Sequence, residues 1–486
     1  LFGHFTRMTE SFYAANGVGK LLNYFMNDVK SVRESISGGV NHTTNAAMLM
    51  FSAVYTMLMS DIPFRLIAVC VLPMLAIPFL VVRFGPVIRK RSMDVQNALG
   101  RMTDMAEEQF GGIRVTKKFA VEPIMNRRFG QSVDSIRDRQ IRLVRVSSLF
   151  QALIPFAGAL SLIVTLAYGG YMTLQGRITL GQFVALTLYI RMMMTPLQQI
   201  GNVINTMQRS RASLDRLNRL FAVKADVEET EQALDLDVAR SSLDVRQVSF
   251  SYPGSSASAL QDINVTLEPG KTLGIVGKTG SGKTTLVKLL LRVYDTTEGA
   301  IRFGGADIRD MTLKSLREGI AYVPQDGFLF SASIRENIAF YNRDADLAEV
   351  ELAARHAQLY ENVVDFPEQF DTKLGERGIT LSGGQRQRTS LARGLIKNAP
   401  ILILDDSFSA VDSVTEKRIL DSIRRERGGK TNIIISHRIS AVQFADEIIV
   451  LDEGRIVQRG SHRELLARQG LYAELYAIQE EGSQHA

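Results

Sequence analysis

Long apolar stretches fill the first half of the chain. Residues 35–60, 66–82 and 146–176 contain no Asp, Glu, Lys or Arg, and a fourth stretch up to about residue 208 is interrupted only by Arg191. A helix of about 20 apolar residues crosses a bilayer. The pattern therefore predicts four membrane spans, at about 38–60, 62–82, 148–172 and 180–206. The alternative, buried core helices of a large soluble protein, fits best for the short stretch 66–82.

The pattern changes beyond about residue 225, where apolar and charged residues alternate as in a soluble α/β domain. An acidic segment, Asp226 to Asp237, separates the two regions. The predicted organisation is an all-α polytopic transmembrane domain at 1–224, a linker at 225–240, and an α/β domain at 241–486.

Charge is distributed unevenly around the apolar stretches. The chain has 486 residues and a net charge of +6, and its Lys and Arg residues are concentrated in 83–145. The short links on the other side carry only Arg65 and Arg177. Cytoplasmic loops are enriched in Lys and Arg, so this asymmetry predicts that 83–145 is cytoplasmic. An even number of spans then places the C-terminal domain on the same side. We expect a multi-pass protein of the plasma (inner) membrane with membrane lipid, and no nucleic acid, as partner.

Residues 83–147 read as two long amphipathic helices that extend the spans into the cytoplasm, joined near 110–112 and 122–123. The first residue is Leu and no signal peptide is visible, so we expect the sequence to be part of a longer chain. The single cysteine, Cys70, cannot form an internal disulfide. Together with only six scattered histidines, this argues against a Cys/His metal site.

The most informative motif is GKTGSGKTT at Gly277 to Thr285, which fits the phosphate-binding loop G-x-x-x-x-G-K-[ST]. It follows an apolar run, Thr272 to Val276, and opens into a predicted helix, which is the context that this loop requires. Backbone N–H groups of such a loop surround phosphates, Lys283 supplies a positive charge, and the Thr284 hydroxyl is a ligand for Mg²⁺. The domain at 241–486 is therefore predicted to be an α/β P-loop NTPase domain with ATP and Mg²⁺ as cofactors, against the alternative of an ordinary Gly-rich turn.

Two further motifs support this interpretation. The strand-like run Ile401 to Leu404 ends in Asp405 and Asp406, a pattern in which an aspartate at a strand end holds Mg²⁺ through water. LSGGQ at Leu381 to Gln385 precedes a helical segment and leaves N–H groups and a helix dipole directed at an anion. By itself, SGG is equally compatible with an ordinary helix start.

The motifs stand in the order GKTGSGKTT, Gln325 in YVPQD, LSGGQ, ILILDD, Asp412 in SAVD and His437 in IIISHR. In this order, residues 243–470 resemble the nucleotide-binding domain of ABC transporters. Residues 1–220 resemble the membrane domain of type I ABC exporters. Such exporters carry six spans, so the resemblance implies that the first span and most of the second lie outside this sequence. It also implies docking helices near Gly17 to Leu21 and Gly111 to Phe119.

The resemblance implies roles for individual residues. Tyr252 would stack on adenine, although a strand-end aromatic residue is an alternative. The nucleotide phosphates would contact Gly277, Lys278, Thr279, Gly280, Ser281, Gly282, Lys283, Thr284 and Thr285. Mg²⁺ would be held by Thr284, Gln325 and, through water, Asp405. Catalysis would use Asp406, His437 and Lys283, with His437 on the γ-phosphate. Trans contacts to a partner's nucleotide would come from Ser382, Gly383, Gly384, Gln385 and Asp412.

One position departs from the family pattern. A glutamate that orients the attacking water normally follows the Mg²⁺ aspartate, and this chain has Asp406. A displacement of about 1 Å can cost roughly 10²-fold in rate. The resemblance therefore indicates the slow, or degenerate, site of a heterodimeric exporter whose partner carries the glutamate. A homodimer that tolerates aspartate is the alternative, because Tyr252, Gln325 and His437 are all present.

These features predict one half of a dimeric, ATP-driven exporter of a drug, lipid or peptide. A soluble ABC-type ATPase is a rival, but it would lack the apolar half. An importer ATPase is another, but importers usually keep the membrane domain on a separate chain. Arg191 lies inside the last predicted span, where a charge usually faces a cavity or a partner rather than lipid. The neighbouring Met192, Met193 and Met194 fit either an adaptable binding wall or ordinary packing.

Overall fold

The computed structural model of the chain describes residues 1–375 and 381–484, without the side chains of 198–205, 208–209 and 482–484. Residues 376–380 and 485–486, which fall in the predicted ATPase domain, lie outside the described residues. The chain divides into two compact units. The membrane unit comprises Leu1 and Gly17–Val223, and the ATPase unit comprises Phe2–Asn16 and Lys224–Ala486.

Helices make up the membrane unit. After two short helices that belong to the ATPase unit, α1 (Phe2–Phe5) and α2 (Glu10–Ala15), its helices are α3 (Val18–Asn23), α4 (Val29–Glu34), α5 (Val40–Met59), α6 (Phe64–Val71), α7 (Ala76–Gly111), α8 (Ile113–Phe119), α9 (Glu122–Val164), α10 (Gly170–Leu174) and α11 (Leu180–Phe221). Short π-helical or 3₁₀ segments join α3 to α4 and α5, α6 to α7, and α9 to α10. The result is four long helical rods, about 18–59, 64–111, 122–174 and 180–221.

The rods pack in pairs, α7 against α9 and α5 against α11. A capping box begins α11: the Thr179 hydroxyl accepts from the backbone N–H of Gln182 at 3.2 Å, and Gln182 Oε1 accepts from the Thr179 N–H at 2.8 Å. These bonds satisfy N–H groups that a helix start leaves unpaired. The Gln182 amide also donates to the Ser60 carbonyl at 2.9 Å, which ties the start of α11 to the end of α5.

The predicted helices over 83–147 are present. The first is the C-terminal part of α7, which ends at Gly111, and the second is the N-terminal part of α9, which begins at Glu122. The short helix α8 lies between them. Arg139 of α9 donates to the Asp94 carbonyl of α7 at 3.3 Å, so the two extensions remain in contact along this segment.

Two helical segments, Phe64–Gly111 and Glu122–Leu174, are long and apolar enough to cross a membrane among the described residues. Only 28% of each apolar window is buried within the protein. A core helix of a soluble protein would be mostly buried, so this exposure favours a lipid environment. The predicted spans 38–60 and 180–206 coincide with α5 and the first part of α11, and they remain predictions.

Two sheets form the ATPase unit. The strands are β1 (Leu243–Phe250), β2 (Leu260–Leu267), β3 (Thr272–Gly277), β4 (Glu298–Phe303), β5 (Ala306–Asp307), β6 (Ile320–Val323), β7 (Ile401–Asp405), β8 (Thr431–Ile435), β9 (Glu447–Asp452) and β10 (Arg455–Gly460). The six-stranded sheet has the order β10-β9-β3-β8-β7-β6 and is parallel except for β10. The other sheet, β2-β1-β4-β5, is antiparallel.

Helices cover both faces of the larger sheet. They are α12 (Lys283–Leu290), α13 (Leu313–Glu318), α14 (Ile334–Ile338), α15 (Leu347–His356), α16 (Tyr360–Val364), α17 (Gly383–Ile396), α18 (Ser413–Glu426), α19 (His462–Ala467) and α20 (Leu471–Gln484). In β7, Ile401 and Ile403 enter one core cluster, whereas Leu402 and Leu404 enter the other. Successive side chains of a strand point to opposite faces, so a strand buried on both faces is apolar throughout. This explains the unbroken ILIL run.

The short helix α2 packs in the ATPase unit. Glu10 forms an ion pair with Lys288 of α12 at 2.7 Å, and the Thr9 hydroxyl donates to Asp226 at 2.8 Å. Both contacts are internal to the ATPase unit, whereas the predicted docking segments Gly17 to Leu21 and Gly111 to Phe119 belong to the membrane unit. Their docking role stays a prediction.

Candidate active site

The candidate site lies at the carboxyl ends of the parallel strands β3, β7 and β8. This edge is where open α/β sheets bind ligands. The phosphate loop follows β3, Asp405 ends β7, and His437 follows β8 shortly after its end. Neighbouring strands in the sheet therefore bring together groups that stand more than 100 residues apart in the sequence.

Backbone conformation explains two glycines of the loop. Gly277 has φ +154°, and a Cβ there would lie 2.1 Å from the Leu451 carbonyl oxygen. Gly282 has φ +100°, and its Cβ would meet Leu260 and the Ala259 carbonyl within 2.8 Å. A larger residue at either position would have to displace the neighbouring chain. The loop then passes directly into α12, whose N-terminus favours an anion.

Lys283 is buried at the start of α12, and its ammonium donates to the carbonyls of Gly277 at 2.9 Å and Lys278 at 2.7 Å. Burial lowers the pKa of Lys283, while the neighbouring Asp405 and Asp406 act in the opposite direction. The loop thus curls around a positive charge that lies beside two carboxylates. Such a loop has both the charge and the free N–H groups for polyphosphate.

Asp405 is almost fully buried and lies beside Thr284. The Thr284 hydroxyl donates to Asp405 Oδ1 at 3.2 Å, and the Tyr322 hydroxyl donates to Oδ2 at 3.4 Å. Burial raises the pKa of Asp405, and repulsion by Asp406 adds to this, whereas the two hydrogen bonds and Lys283 lower it. A cation bound there would favour the ionised carboxylate.

Asp406 has a left-handed backbone, with φ +46°, a conformation that aspartate adopts more readily than most residues. Its carboxylate faces two other candidate residues. Gln325 donates to Oδ2 at 3.3 Å, and the backbone N–H of His437 donates to Oδ1 at 3.4 Å. The structure therefore brings Gln325, Asp406 and His437 together, as the motif order predicts.

Tyr252 lies beside the same loop. Its hydroxyl is 3.0 Å from the Thr285 hydroxyl, and its ring packs edge-on against Phe250 and Tyr294. The aromatic contacts are those of a strand-end residue, and the hydroxyl contact places the ring next to the phosphate loop.

The LSGGQ segment, Leu381 to Gln385, is arranged as a helix start. Ser382 accepts from the Gln385 N–H at 3.2 Å, and Gln385 Oε1 accepts from the Ser382 N–H at 2.9 Å, which forms a capping box for α17. Asp412 caps α18 by accepting from the Thr415 N–H at 2.9 Å, and this bond lowers the pKa of Asp412. In the described part of the chain, no hydrogen bond joins these two segments to the phosphate loop.

Sequence reasoning missed several residues that position the site. The buried Gln387 donates to the Ser409 hydroxyl at 2.6 Å and accepts from the Ala410 N–H at 2.8 Å, so it joins α17 to the segment that carries Asp412. Glu416 is also buried and accepts from Arg438 and Ser440. Gln387 and Glu416 could have been found in the sequence, because each is a polar residue at a core-facing helix position. The contact of Tyr322 with Asp405 depends on the pairing of β6 with β7, which the sequence pattern does not reveal.

Comparison with known proteins identifies the family. The model described as "ABC transporter" matches residues 260–409, and that described as "ABC transporter transmembrane region" matches residues 1–197. The probable multidrug resistance ABC transporter ATP-binding/permease protein YheI of Bacillus subtilis is 39% identical over 484 residues, which cover 99% of this chain and 82% of that protein. This chain belongs to the ABC transporters.

Other relatives agree with this assignment. The ATP-dependent lipid A-core flippase of Syntrophus aciditrophicus is 34% identical, over 99% of this chain and 79% of that protein. The solved structure of a bacterial Atm1-family ABC exporter with ATP bound has a TM-score of 0.87 at 29% identity, covering 98% of this chain and 84% of that one.

The predicted fold class, a helical transmembrane domain followed by an ABC ATPase domain, is confirmed. As an ABC exporter, the protein binds ATP and couples its hydrolysis to transport, it is a multi-pass membrane protein with a cytoplasmic ATPase domain, and it works as a dimer. The transmembrane match over 1–197 contradicts the rival reading as a soluble ABC-type ATPase.

Proposed function

We propose that this chain is one half of an exporter in the plasma (inner) membrane that moves an amphipathic drug, lipid or peptide outward. The fusion of membrane and ATPase domains on one chain carries this proposal. Two relatives support it, because one is named as a probable multidrug resistance transporter and another as a lipid A-core flippase. We further propose domain limits at 1–224, 225–240 and 241–486, with the four spans predicted from the sequence.

Phosphate binding in this proposal uses the phosphate loop and its lysine. N–H groups of 277–285 surround the β- and γ-phosphates, and Lys283 adds a positive charge. Tyr252 contacts the adenine. The Lys283 ammonium donates to the carbonyls of Gly277 and Lys278. When ATP binds, the ammonium would exchange these carbonyls for phosphate oxygens. The move would be short, because both carbonyls belong to the loop that binds the phosphates.

Hard oxygen ligands suit Mg²⁺, and this site offers them side by side. The Thr284 hydroxyl and the Asp405 carboxylate are 3.2 Å apart, and Gln325 is a neighbour of Asp406. We propose that Thr284, Gln325 and, through water, Asp405 hold the ion. When bound, Mg²⁺ neutralises charge that develops on the phosphates.

Hydrolysis in this proposal needs residues from two chains. Asp406 orients the attacking water, and His437 contacts the γ-phosphate. The segment Ser382 to Gln385 and Asp412 contact the nucleotide of the partner chain, because each presents a helix N-terminus at an exposed surface. Gln387 of α17 bonds to Ser409 and Ala410, and it therefore holds the helix that begins at Ser382 against the segment that leads to Asp412.

The length of the Asp406 side chain affects the rate of ATP hydrolysis at this site. The Asp406 carboxylate is one methylene shorter than a glutamate, and its position is fixed by Gln325 and the His437 N–H. A shift of about 1 Å is enough to reduce the rate roughly 10²-fold. We propose that the Asp406 site turns over slowly and that a partner chain with glutamate at this position supplies the faster site.

The same geometry favours one alternative. Asp406 already contacts Gln325 and the backbone of His437. The residues proposed to position the water are therefore together, and the site differs from the family pattern only in the shorter side chain of Asp406. A homodimer that hydrolyses ATP with aspartate would use the same contacts.

Steady-state ATP hydrolysis by the purified full-length transporter, co-expressed with its native partner, separates the two. In the heterodimer, Asp406→Asn leaves most turnover intact, whereas Ser382→Arg abolishes it by disrupting the partner's site. The matched control is Asp406→Glu, which restores the usual side-chain length and should leave turnover equal or faster. Near-complete loss of turnover in Asp406→Asn would contradict the slow-site proposal and support the homodimer.

A further inference from the structure

His437 lies in a short connection between two regular elements of the ATPase unit. Strand β8 ends at Ile435, and a 3₁₀ turn begins at Ile439. The His437 carbonyl lies beyond the end of β8, and the first N–H groups of a helical turn have no partner within the turn itself. The backbone of this connection therefore depends on partners from elsewhere in the fold.

Gln479 of α20 supplies two of these partners. Its side-chain amide donates to the His437 carbonyl at 2.6 Å and accepts from the Ile439 N–H at 2.9 Å. The two bonds hold the backbone on either side of Arg438. Among unbranched side chains of this length, glutamine alone offers both an N–H donor and an oxygen acceptor at neutral pH, so the pair of bonds requires this residue.

The helix that carries Gln479 is anchored in the core of the ATPase unit. Tyr472 is fully buried, its hydroxyl lies 2.7 Å from His462 Nδ1, and its N–H donates to Gln458 at 2.8 Å. Leu475 packs against the same core. Because Tyr472, Leu475 and Gln479 are three and four positions apart, they share one side of α20. Gln479 therefore occupies a core-facing position, where a polar residue is uncommon.

A second set of bonds holds the side chain of the next residue. Arg438 donates to the Val411 carbonyl at 2.9 Å and pairs with the buried Glu416. The Arg438 side chain is thus fixed by one network, and the peptide groups that flank it are fixed by Gln479. Supporting hydrogen bonds of this kind keep a functional side chain in one geometry, and the side chain in question here is that of His437.

We propose that Gln479 is a positioning residue that holds His437 where it can contact the γ-phosphate of ATP. This inference rests on the role of His437 in the proposed function. A hydrogen bond weakens steeply as its geometry departs from linear, so a small shift of the His437 backbone is enough to weaken the contact. The γ-phosphate distinguishes ATP from ADP. Gln479 therefore contributes to ATP binding and leaves ADP binding unchanged.

Nucleotide preference tests this separately from ATP turnover. The full-length transporter, co-expressed with its native partner, is photolabelled on ice with radiolabelled azido-ATP and Mg²⁺, and the label in this chain is measured after denaturing gel electrophoresis. AMP-PNP and ADP compete with the label, and the ratio of their affinities measures the contribution of the γ-phosphate. A hydrogen bond to a charged group typically contributes about tenfold to hundredfold in affinity, so His437→Ala should lower the ratio by about tenfold or more.

Gln479→Met keeps the length of the side chain and removes both bonds. A neutral hydrogen bond contributes roughly twofold to tenfold, so this variant should lower the ratio at least about threefold. Its ADP affinity should stay unchanged, which also shows that the site is folded. Gln479→Glu, which loses the donor to the His437 carbonyl, should lower the ratio as well. The double variant His437→Ala with Gln479→Met should match His437→Ala alone, because Gln479 acts only through His437.

Gln458→Met is the matched control, because Gln458 also bonds to α20, but at the Tyr472 N–H near the start of the helix. It should leave the ratio unchanged. An unchanged ratio in Gln479→Met would overturn the assignment, and so would an equal fall in Gln458→Met, because packing of α20 would then explain the preference. Failure of the proposed function is recognised separately, since His437→Ala itself would then leave the ratio unchanged.

Discussion

The ATPase unit and the membrane unit place their charged residues in opposite ways. The ATPase unit buries six charged side chains among its described residues, namely Lys283, Arg292, Asp405, Asp406, Glu416 and Arg427, and each contacts polar partners. The described part of the membrane unit buries one, Asp28. Apart from Arg191 in the last predicted span, the other charges of the membrane unit lie on helical extensions and links, where their number and side are predicted to determine orientation.

This difference shows that nucleotide binding and membrane orientation depend on the sequence in different ways. A buried charge costs free energy unless it is paired, so the ATPase unit needs a specific residue at each position, and the positions appear as short motifs. Orientation in a membrane depends on the balance of Lys and Arg across the spans, and individual positions can vary. Catalytic residues can therefore be predicted individually from motifs, whereas membrane topology can be predicted only from the composition of whole regions.

Orientation should give an all-or-none result. In a Cys70→Ala background, a single cysteine at Arg89 should not react with an impermeant maleimide applied outside intact cells, because the basic segment 83–145 is predicted to be cytoplasmic. It should react after the cells are permeabilised. The measurement is gel-shift labelling of the purified protein.

A cysteine at Arg177 is the matched control, since Arg177 is exposed and lies on the other side of the predicted spans. It should react in intact cells. Labelling of the Arg89 cysteine from outside, together with protection of the Arg177 cysteine, would reverse the predicted orientation.

Nucleotide binding should show the next largest effect. Lys283→Ala removes the charge that the phosphate loop holds in place, and loss of one preorganised electrostatic group typically costs about 10²-fold or more. MgATP affinity of the purified transporter, measured with a fluorescent ATP analogue, should fall by about that factor. Lys278→Ala in the same loop is the control, because the Lys278 side chain is exposed and only its carbonyl contacts Lys283. An equal loss in both variants would mean that net charge, and not the position of Lys283, determines affinity.

The local conformation of the ATPase motifs could be predicted from the sequence because it depends on residues within each motif. Gly277 and Gly282 have backbone angles and neighbours that a side chain would disturb, and Ser382 with Gln385 caps a helix by short-range bonds. Their conformations therefore follow from nearby residues. The apolar runs likewise predicted the helical rods of the membrane unit.

Contacts between distant residues could not be predicted in this way. Tyr322 reaches Asp405 only because β6 is the neighbour of β7. Gln387 of α17 reaches Ser409, which lies in the segment between β7 and α18. Likewise, Glu10 and Thr9 reach Lys288 and Asp226, which are more than 200 residues away in the sequence. These pairings depend on which elements become neighbours, and a single sequence does not record this.

The smallest expected effect concerns the one buried charge of the membrane unit. Asp28 is nearly inaccessible and pairs with Arg216, which donates to both carboxylate oxygens and contacts Ser213. Burial alone would raise the pKa of Asp28, but the bonds from Arg216 and Ser213 outweigh it and lower the pKa. The carboxylate is therefore ionised at neutral pH, and the stabilisation it provides is lost only as the pH falls through its lowered pKa.

Asp28→Asn keeps the size of the side chain and removes its charge. Breaking a buried pair can cost 3–5 kcal/mol or so, but Arg216 is about half exposed and water can solvate it. We therefore expect a loss of about 1–2 kcal/mol, or roughly 2 to 8 °C in Tm for a domain of this size. Lys30→Ala is the control: its pair with Glu34 lies on the next helical turns and is exposed on both sides, so it should cost at most about 0.5 kcal/mol. Thermal unfolding of the detergent-purified transporter, read by intrinsic tyrosine fluorescence, measures both. Equal shifts would show that burial does not distinguish the two pairs and that the membrane unit gains nothing specific from its buried charge.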